Sequence, residues 1–399
     1  VDEANFVCRE IARLKDEGTS NPGDTAIFYR TNAQSRAFEE AFLRSAIPYK
    51  VVGGVRFYER KEIKDFLGYL KLLINPNDEV SLRRVINTPK RGIGDRALDI
   101  IEEIARAEDT SLWNGLTLAS DQLPARSASA IADFVALIQT LMTLVEAKSK
   151  PSDIAQAVLE QSGLLHELQN SNDPQDESRI ENLQELVAVA TEYEEGEFDE
   201  DDEASLAGFL ENVSLVADSD QIPDGEDHGG VVTLMTLHTA KGLEFPTVFL
   251  TGMEEGIFPH NRTLGDKEEL EEERRLAYVG LTRARERLYI SRSEYRTSWG
   301  APTYNAPSRF IDEIPSELIS WNETYVAPKP IKKSYGPPPR ATGKRTTSST
   351  TMVLAIGDRV SHDTFGLGTV IAVAGEGDRA EATINFGSAG EKRLLLRYA

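Results

Sequence analysis

The chain has 399 residues and 40% hydrophobic content, enough for two or three domains with buried cores. Its single cysteine, Cys8, excludes an internal disulfide framework and is typical of a reducing compartment, and no apolar run approaches the ~18 residues that span a bilayer. The net charge of −22 argues against uniform affinity for nucleic acid, but residues 30–96 hold 14 Lys/Arg against 8 Asp/Glu, and a local basic surface still attracts a polyanion. The same charges also fit the ordinary solvation of helix faces.

The first hundred residues alternate between strand and helix signals. Residues 24–29 (DTAIFY) and 49–52 are short apolar runs that predict buried strands, and residues 35–45 between them predict a helix. Residues 59–73 predict a strongly amphipathic helix, which an Asn-Pro pair ends. This alternation is typical of an α/β fold.

A long helical stretch then interrupts the strands. From residue 89 to residue 225 the pattern is almost wholly helical, with polar and acidic connections. Strands of the buried type return at residues 231–237 and 247–251, followed by a helix at 268–284 and a strand at 288–291. The economical architecture is a parallel sheet that is interrupted by a helical domain and then resumed.

The C-terminal part has a different composition. Residues 319–352 are rich in Pro, Ser, Thr and Lys, which predicts a flexible linker. Short β-like runs separated by glycines follow in residues 353–399, and at under 50 residues they predict a small barrel.

Polar side chains follow the strand predicted at residues 231–237. His238 comes directly after it, and the Lys241-Gly242-Leu243-Glu244 turn leads into the next strand. Ligands bind at the carboxyl ends of strands in open α/β sheets, where a histidine can meet a phosphate or a base and a carboxylate can meet a ribose hydroxyl. Taken alone, His238 fits a structural histidine better than a ligand contact.

The helix predicted at residues 268–284 is rich in arginine and glutamate. We expect most of these arginines to form ordinary ion pairs on the helix face. Arg283 differs, because it follows Thr282 at the helix end, just before a strand. An arginine in such a position can reach across an interface to a γ-phosphate, where a fixed guanidinium adds ~10³–10⁵ in rate. For any single arginine, however, the ion pair is the commoner role.

A glycine-containing turn precedes the helix predicted near residue 96. Glycines allow a close approach of the backbone, and the amides at a helix start favour anions, so this turn fits a DNA phosphate. The segment consists of Lys90, Arg91, Gly92, Ile93 and Gly94.

An aromatic residue, Trp299, stands between the last predicted strand and the segment Pro307-Ser308-Arg309-Phe310. An aromatic side chain on an exposed hairpin can stack on a base, which is worth ~1–3 kcal/mol by alanine substitution. A buried tryptophan that closes the hairpin is the simpler alternative.

The sequence holds no phosphate-gripping loop of the G-x-x-x-x-G-K-[ST] type. The nearest match, Gly343-Lys344-Arg345, lacks both the upstream glycine and the hydroxyl after the lysine. The acidic Asp201-Asp202-Glu203 follows no apolar strand and is therefore no magnesium site, and we predict no metal site elsewhere in the chain. The motifs thus predict part of a nucleotide-driven motor, and because the chain starts at Val1 without methionine we expect a fragment.

Read together, residues 24–318 resemble the second motor domain, with its insertion, of superfamily 1A DNA helicases of the UvrD/PcrA/Rep family. The residues after 356, GDRVSHDTFGLGTV, resemble the Tudor-like barrel that ends PcrA and UvrD proteins. Long matches in the same order are highly specific, unlike any one of them alone. The matching segments are YRTNAQSR, VGGVRFYERKEIKD, TPKRGIGDRAL, TLMTLHTAKGLEFPTVFLTGMEEGIFPH and EEERRLAYVGLTRARERL.

The resemblance implies an α/β fold with a RecA-like parallel-sheet motor domain, an α-helical insertion domain and a small Tudor- or SH3-like β-barrel. The implied domains are the two parts of the motor domain at residues 1–88 and 226–318, the helical insertion at 89–225, the linker at 319–352 and the barrel at 353–399.

The resemblance also implies site residues and a cofactor, ATP with Mg²⁺, held mainly by a first motor domain that this sequence lacks. Arg283 matches the arginine finger that enters the ATP cleft, Glu244 matches the carboxylate that binds the ribose, and Gly242 lies in the same turn. The implied nucleic-acid contacts are Arg30, Asn32 and His238 for the single strand, Trp299 on the pin that separates the duplex, and Lys90, Arg91, Gly92, Ile93 and Gly94 for the duplex backbone.

The resemblance therefore implies the C-terminal half of an ATP-dependent 3′→5′ DNA helicase of the bacterial cytosol, acting on single strands and single-strand/duplex junctions in repair or replication. Without a phosphate loop and magnesium-holding acids, we expect the 399 residues alone to be inactive. One alternative is a non-catalytic adaptor that binds DNA near Gly92 and RNA polymerase through the barrel. Another is a subunit of a recombination helicase–nuclease, which the small barrel disfavours because it stands where a nuclease domain is expected.

Overall fold

The computed structural model describes residues 2–119, 122–196, 198, 203–217, 229–298 and 301–321, and four strands within residues 359–395. The chain divides into two compact units, Val1–Trp321 and Asn322–Ala399.

A five-stranded parallel sheet forms the centre of the first unit, with the strand order β2-β3-β1-β4-β5. The middle strand, β1, pairs with β3 through Ala26 and Thr233 and with β4 through Ala26 and Val248. Both neighbours of β1 therefore come from the part of the chain after the helical insertion, as predicted for an interrupted sheet. Its strands are β1 (Thr25–Tyr29), β2 (Tyr49–Val52), β3 (Val232–Thr236), β4 (Phe245–Leu250) and β5 (Ala284–Ile290).

Helices cover both faces of this sheet, which explains why its strands are apolar on both sides. Helices α1 (Asp2–Asp16) and α2 (Ser35–Arg44) pack on one face, where Ile27 and Phe249 are fully buried. Helix α12 (Lys267–Leu281) packs on the other face beside Phe28 and Leu250. The predicted α/β class and the interrupted parallel sheet are confirmed; helix α1 was not predicted.

Nine helices in the described part of the chain lie between β2 and β3 and share one hydrophobic core. That core begins at Phe57 and includes α3 and α4, so it starts before residue 89, where the sequence suggested the insertion would begin. The helices are α3 (Lys61–Ile74), α4 (Glu79–Val85), α5 (Asp95–Ala107), α6 (Leu112–Leu118), α7 (Ala125–Glu146), α8 (Pro151–Gln161), α9 (Leu164–Gln169), α10 (Gln175–Glu194) and α11 (Leu206–Ala217).

Helix α7 alone among the described helices has the length and apolar composition that a membrane span requires. The buried core helices of many proteins pass the same test, and α7 places Phe134, Ile138 and Leu141 inside the helical core. It is weak evidence for a membrane segment, and it qualifies the expectation that no apolar run approaches that length.

Helix α10 joins the helical layer to the sheet layer through charged side chains. The guanidinium of Arg36 on α2, only 3% exposed, donates to Glu185 at 2.7 Å and to Glu192 at 3.0 Å, both on α10. Arg60 adds a hydrogen bond of 2.8 Å to Asn182 on the same helix. A buried arginine needs such partners because an uncompensated buried charge is strongly unfavourable.

The remaining described elements follow β5. A two-stranded hairpin pairs β6 (Tyr295–Ser298) with β7 (Ala301–Tyr304), and the short helix α13 (Arg309–Asp312) ends the layered part. In the second unit β8 (Arg359–His362), β9 (Gly366–Ala374), β10 (Glu381–Asn385) and β11 (Glu391–Leu395) form an antiparallel sheet in the order β11-β10-β9-β8. The predicted linker lies outside the described residues from residue 322 onward.

Candidate nucleotide and nucleic-acid site

Arg283 lies at the surface, directly after helix α12 ends at Leu281 and its C-cap Thr282. Its guanidinium makes hydrogen bonds only to neutral oxygens among the described residues: Nε donates to the Val279 carbonyl at 3.0 Å, Nη1 to the Leu243 carbonyl at 3.3 Å and Nη2 to Thr282 Oγ1 at 3.0 Å. These bonds fix the direction of the side chain without neutralising its charge. The structure therefore presents an oriented, uncompensated cation at this position.

Glu244 lies in the turn that Arg283 contacts. The Leu243 carbonyl accepts from the Arg283 guanidinium, and the Phe245 amide donates to the Arg283 carbonyl at 3.0 Å, so the two bonds bracket Glu244. Its carboxylate is exposed and makes no hydrogen bond or ion pair with any other described residue. We call Leu243, Glu244 and Arg283 the sheet-edge corner; it brings together a cation and a carboxylate that lie 39 positions apart in the sequence.

Gly242 gives the turn its shape. Its φ of +88° lies in the left-handed region that side chains other than glycine adopt with strain, and the space around it is open. The glycine is therefore required by the backbone conformation of the turn. A direct contact of Gly242 with a nucleotide, which the resemblance implies, stays a prediction.

His238 and Arg30 come close together at the carboxyl ends of β3 and β1. Partial burial lowers the pKa of the His238 imidazole, and the positive charge of Arg30 lowers it further. The negative charge of Glu273 opposes both effects. His238 is therefore neutral at neutral pH. In that form it can accept or donate a hydrogen bond but attracts no phosphate by charge.

A carboxylate on α12 holds Arg30. Nε of Arg30 donates to the two oxygens of Glu273 at 2.9 and 3.1 Å, and Nη2 lies 2.7 Å from the first of them. The Glu273 side chain is only 5% exposed and also accepts from the His260 amide at 3.0 Å. Arg30 is thus a fixed, 20% exposed cation and not a free one.

Sequence reasoning missed Glu273, although a signal was present. Glu273, Ala277 and Gly280 are the buried positions of α12, spaced four and three residues apart on one face. A glutamate on the apolar face of an amphipathic helix predicts a buried cationic partner, because an unpaired buried carboxylate is costly.

Asn32 lies where the sheet layer meets the helical layer. Its Nδ2 donates to Ser178 Oγ on α10 at 3.2 Å, and its carbonyl accepts from Arg60 at 3.1 Å. Close by, His260 Nε2 is 3.2 Å from Glu181 Oε1, also on α10. Arg30, Asn32 and His238, the predicted contacts of single-stranded DNA, therefore lie at the junction between the sheet layer and the helical layer. Arg30 and Asn32 already have protein partners there.

The turn of residues Lys90–Gly94, named here the Gly92 turn, directly precedes helix α5. Lys90, Gly92 and Gly94 are exposed, and Gly94 is the N-cap of α5 with no side-chain hydrogen bond to the helix end. The Ile93 side chain is instead 1% exposed and packs in the helical core. A contact between Ile93 and DNA would have to use its backbone.

The Arg91 side chain points inward, and a contact of Arg91 with DNA stays a prediction. Its Nη2 donates to Tyr69 Oη at 2.6 Å and to the Ser162 carbonyl at 2.8 Å, and the guanidinium carbon lies 5.2 Å from the centre of the Phe134 ring. Three more carbonyls accept from Nη1, those of Val85, Ile86 and Pro89. The side chain ties the turn to the helical core.

Trp299 lies outside the described residues, so its predicted role at the tip of the hairpin stays a prediction. The strands on either side of it, β6 and β7, do form an antiparallel hairpin with Ser298 opposite Ala301. Among the described residues no cluster of His, Cys, Asp and Glu side chains could hold a metal ion.

Comparison with known proteins identifies the class that this fold and corner define. The sequence of residues 1–295 matches a family model described as the UvrD-like helicase C-terminal domain. A second model, described as the PcrA/UvrD tudor domain, matches residues 356–399. The chain belongs to the UvrD-like helicase C-terminal domain family and ends in a tudor domain.

Curated relatives match over the whole chain. The chain is 49% identical over 424 aligned positions to the ATP-dependent DNA helicase UvrD1 of Mycobacterium tuberculosis, and 42% and 39% identical to the ATP-dependent DNA helicases PcrA of Staphylococcus aureus and Bacillus subtilis. In each case the match covers 100% of this chain and 54% of the relative. The chain therefore spans about half the length of the curated relatives it matches, and the predicted resemblance is confirmed.

Proposed function

We propose that this chain is the C-terminal motor part of an ATP-dependent DNA helicase, and that the sheet-edge corner receives a nucleotide bound mainly by another domain. The observation that carries the proposal is the position of Arg283 beside the turn of Glu244, where among the described residues neither side chain has an oppositely charged partner. A guanidinium that is oriented in advance stabilises the charge on a transferring phosphoryl group, whereas a carboxylate suits a ribose hydroxyl. Magnesium, when bound with ATP, neutralises phosphate charge, and the described residues offer no cluster to hold it.

The proposed DNA path follows the junction of the two layers. Arg30 and Asn32 are held in place by protein partners along this path, and His238 offers a neutral polar side chain. The exposed part of the Gly92 turn offers Lys90 and backbone amides to phosphate. Trp299 would pack against the first base pair of a duplex. The 3′→5′ direction and a bacterial cytosolic location rest on the family membership.

The test compares two proteins: the 399-residue chain, and the same chain preceded by a domain with a phosphate loop. The longer protein should show DNA-stimulated ATPase, and Arg283→Ala should lower its turnover ~10³-fold or more without weakening DNA binding. Arg275→Ala is the matched control, because Arg275 lies on the preceding helix α12, is 75% exposed and forms a surface ion pair with Glu272.

Two results would count against the proposal. If the 399-residue chain alone hydrolysed ATP on DNA, the corner would not depend on a second domain. If Arg283→Ala and Arg275→Ala had equal ATPase rates, Arg283 would have no role in phosphate chemistry.

The tudor domain supports a second, compatible proposal, that the chain binds a protein partner through its C-terminal unit. The resemblance points to RNA polymerase as that partner. Purified polymerase should be retained by the whole chain and lost when residues 353–399 are removed; equal retention would remove the barrel from the interaction.

A further inference from the structure

The hydroxyl of Thr282 contacts the Arg283 guanidinium at the end of α12. Thr282 is the C-cap of that helix, and Nη2 of Arg283 donates to its Oγ1 at 3.0 Å. Oγ1 in turn lies 2.9 Å from the Tyr278 carbonyl and 3.1 Å from the Val279 carbonyl, to which it can donate. A hydroxyl has one proton and two lone pairs, so the proton goes to a helix carbonyl and a lone pair remains for the arginine.

Three separate groups hold the three nitrogen atoms of this guanidinium. Nε donates to the Val279 carbonyl, Nη1 to the Leu243 carbonyl and Nη2 to Thr282 Oγ1. A guanidinium has five N–H groups, so two remain without an acceptor among the described residues, one on each terminal nitrogen. Such a pair of N–H groups matches two oxygens of a phosphoryl group.

Thr282 supplies the only side chain among these three acceptors. The other two acceptors are backbone carbonyls, and no further described side chain makes a hydrogen bond or an ion pair with Arg283. The direction of the guanidinium therefore depends on one hydroxyl that a substitution can remove. Water could take its place only as a mobile acceptor, whereas donors that are oriented before the reaction stabilise a transition state most.

We infer that Thr282 is a positioning residue for Arg283: its hydroxyl holds the guanidinium in the direction that a transferring phosphoryl group requires. The inference rests on the proposed role of Arg283 and adds a residue to it. The simpler alternative is that Thr282 only caps its helix, since threonine hydroxyls often bond a carbonyl one turn back. Capping uses only the hydroxyl proton, however, and the contact with Nη2 uses the acceptor side as well.

The test measures the DNA-stimulated ATPase of this chain preceded by a domain with a phosphate loop. Thr282→Val keeps the β-branched shape but removes the hydroxyl, and kcat should fall about 5- to 20-fold, as expected for one lost hydrogen bond to a charged group at a surface. KM for ATP should stay within about twofold, because the arginine acts on the transition state.

Two further variants control for shape and for capping. Thr282→Ser keeps the hydroxyl and should retain kcat within about twofold. Thr140→Val is the matched control, because the exposed Thr140 hydroxyl donates to the Ala136 carbonyl one turn back on α7 at 2.8 Å and accepts from no described arginine. Its kcat should equal that of the original protein.

A double variant separates positioning from capping. In the Arg283→Ala protein, Thr282→Val should cause no further loss of kcat, because both changes remove the same interaction. An equal loss in both backgrounds, a serine variant as slow as the valine variant, or an unchanged kcat in Thr282→Val would overturn the positioning role. The proposed role of Arg283 would still stand in these cases, provided that Arg283→Ala is slow. If Arg283→Ala kept the original rate, both proposals would be overturned.

Discussion

The sheet-edge corner and the Gly92 turn both place an arginine near a glycine of positive φ, but the two arginines make different contacts. Each has a glycine with positive φ, +88° at Gly242 and +79° at Gly92, and each has an arginine that family resemblance assigns to a phosphate. At the corner, the Arg283 guanidinium lies at the surface on three neutral oxygens. In the turn, the Arg91 guanidinium has five oxygen acceptors, among them Tyr69 Oη on α3 and the carbonyl of Ser162 at the end of α8.

The difference is set by the surrounding acceptors and not by the motif. A guanidinium has five donors, so an arginine whose donors are taken up inside the protein has little capacity left for a ligand. Lys90 is then the exposed cation of the turn, and Arg91 keeps the turn in shape. The comparison separates a residue that contacts a ligand from one that supports the contact.

The largest effect should distinguish the two arginines by stability. Arg91→Ala should lower the free energy of unfolding by about 2–4 kcal/mol, because several buried carbonyls lose their donor at once. Arg283→Ala should change it by less than about 0.5 kcal/mol, since its acceptors lie at the surface and water can replace the guanidinium. Urea denaturation of the 399-residue chain measures both values.

Arg91→Lys gives the control for charge. A lysine keeps the positive charge but not the planar fork, in which Nη1 reaches the Val85 carbonyl while Nη2 reaches Tyr69 and Ser162, so it should recover only part of the lost stability. If Arg91→Ala and Arg283→Ala were equally stable, the proposed division between support and contact would be wrong.

The sheet and the order of its elements were accessible from the sequence, because β-branched strands and amphipathic helices carry periodic signals. The strand predicted at residues 49–52 coincides with β2, Tyr49–Val52, and the helix predicted at residues 268–284 overlaps α12, Lys267–Leu281. Family resemblance gave the positions of Glu244 and Arg283, and the structure brings the two into one corner.

Contacts over long sequence distances were not accessible. The ion pair of Arg30 with Glu273 joins residues 243 positions apart, and that of Glu3 with Arg296 joins residues 293 positions apart. No local period encodes such a pair, because the packing of whole layers decides which buried charge meets which. The inward direction of Arg91 has the same cause, since Ser162 is 71 positions away.

The smallest effect compares Lys90 in the Gly92 turn with His238 beside Arg30, through the salt dependence of DNA binding. An exposed lysine that neutralises one phosphate of duplex DNA contributes about 0.9 to the slope of log affinity against log salt, so Lys90→Gln should reduce the slope by about that amount. His238→Gln should leave the slope unchanged at about pH 7.5, because the lowered pKa keeps the imidazole neutral there.

At acidic pH the protonation of His238 should change both stability and DNA binding. Below its ordinary pKa of 6.5 the unfolded chain binds a proton at His238 more readily than the folded chain does, so this residue contributes stability that is present at neutral pH and declines as the pH falls through and below that value. DNA phosphate favours the protonated form, so the affinities of the original chain and His238→Gln should differ in salt slope only in this acidic range. A slope change at neutral pH in His238→Gln would mean that the histidine is charged beside Arg30, and the junction at the carboxyl ends of β1 and β3 would then attract DNA through two cations.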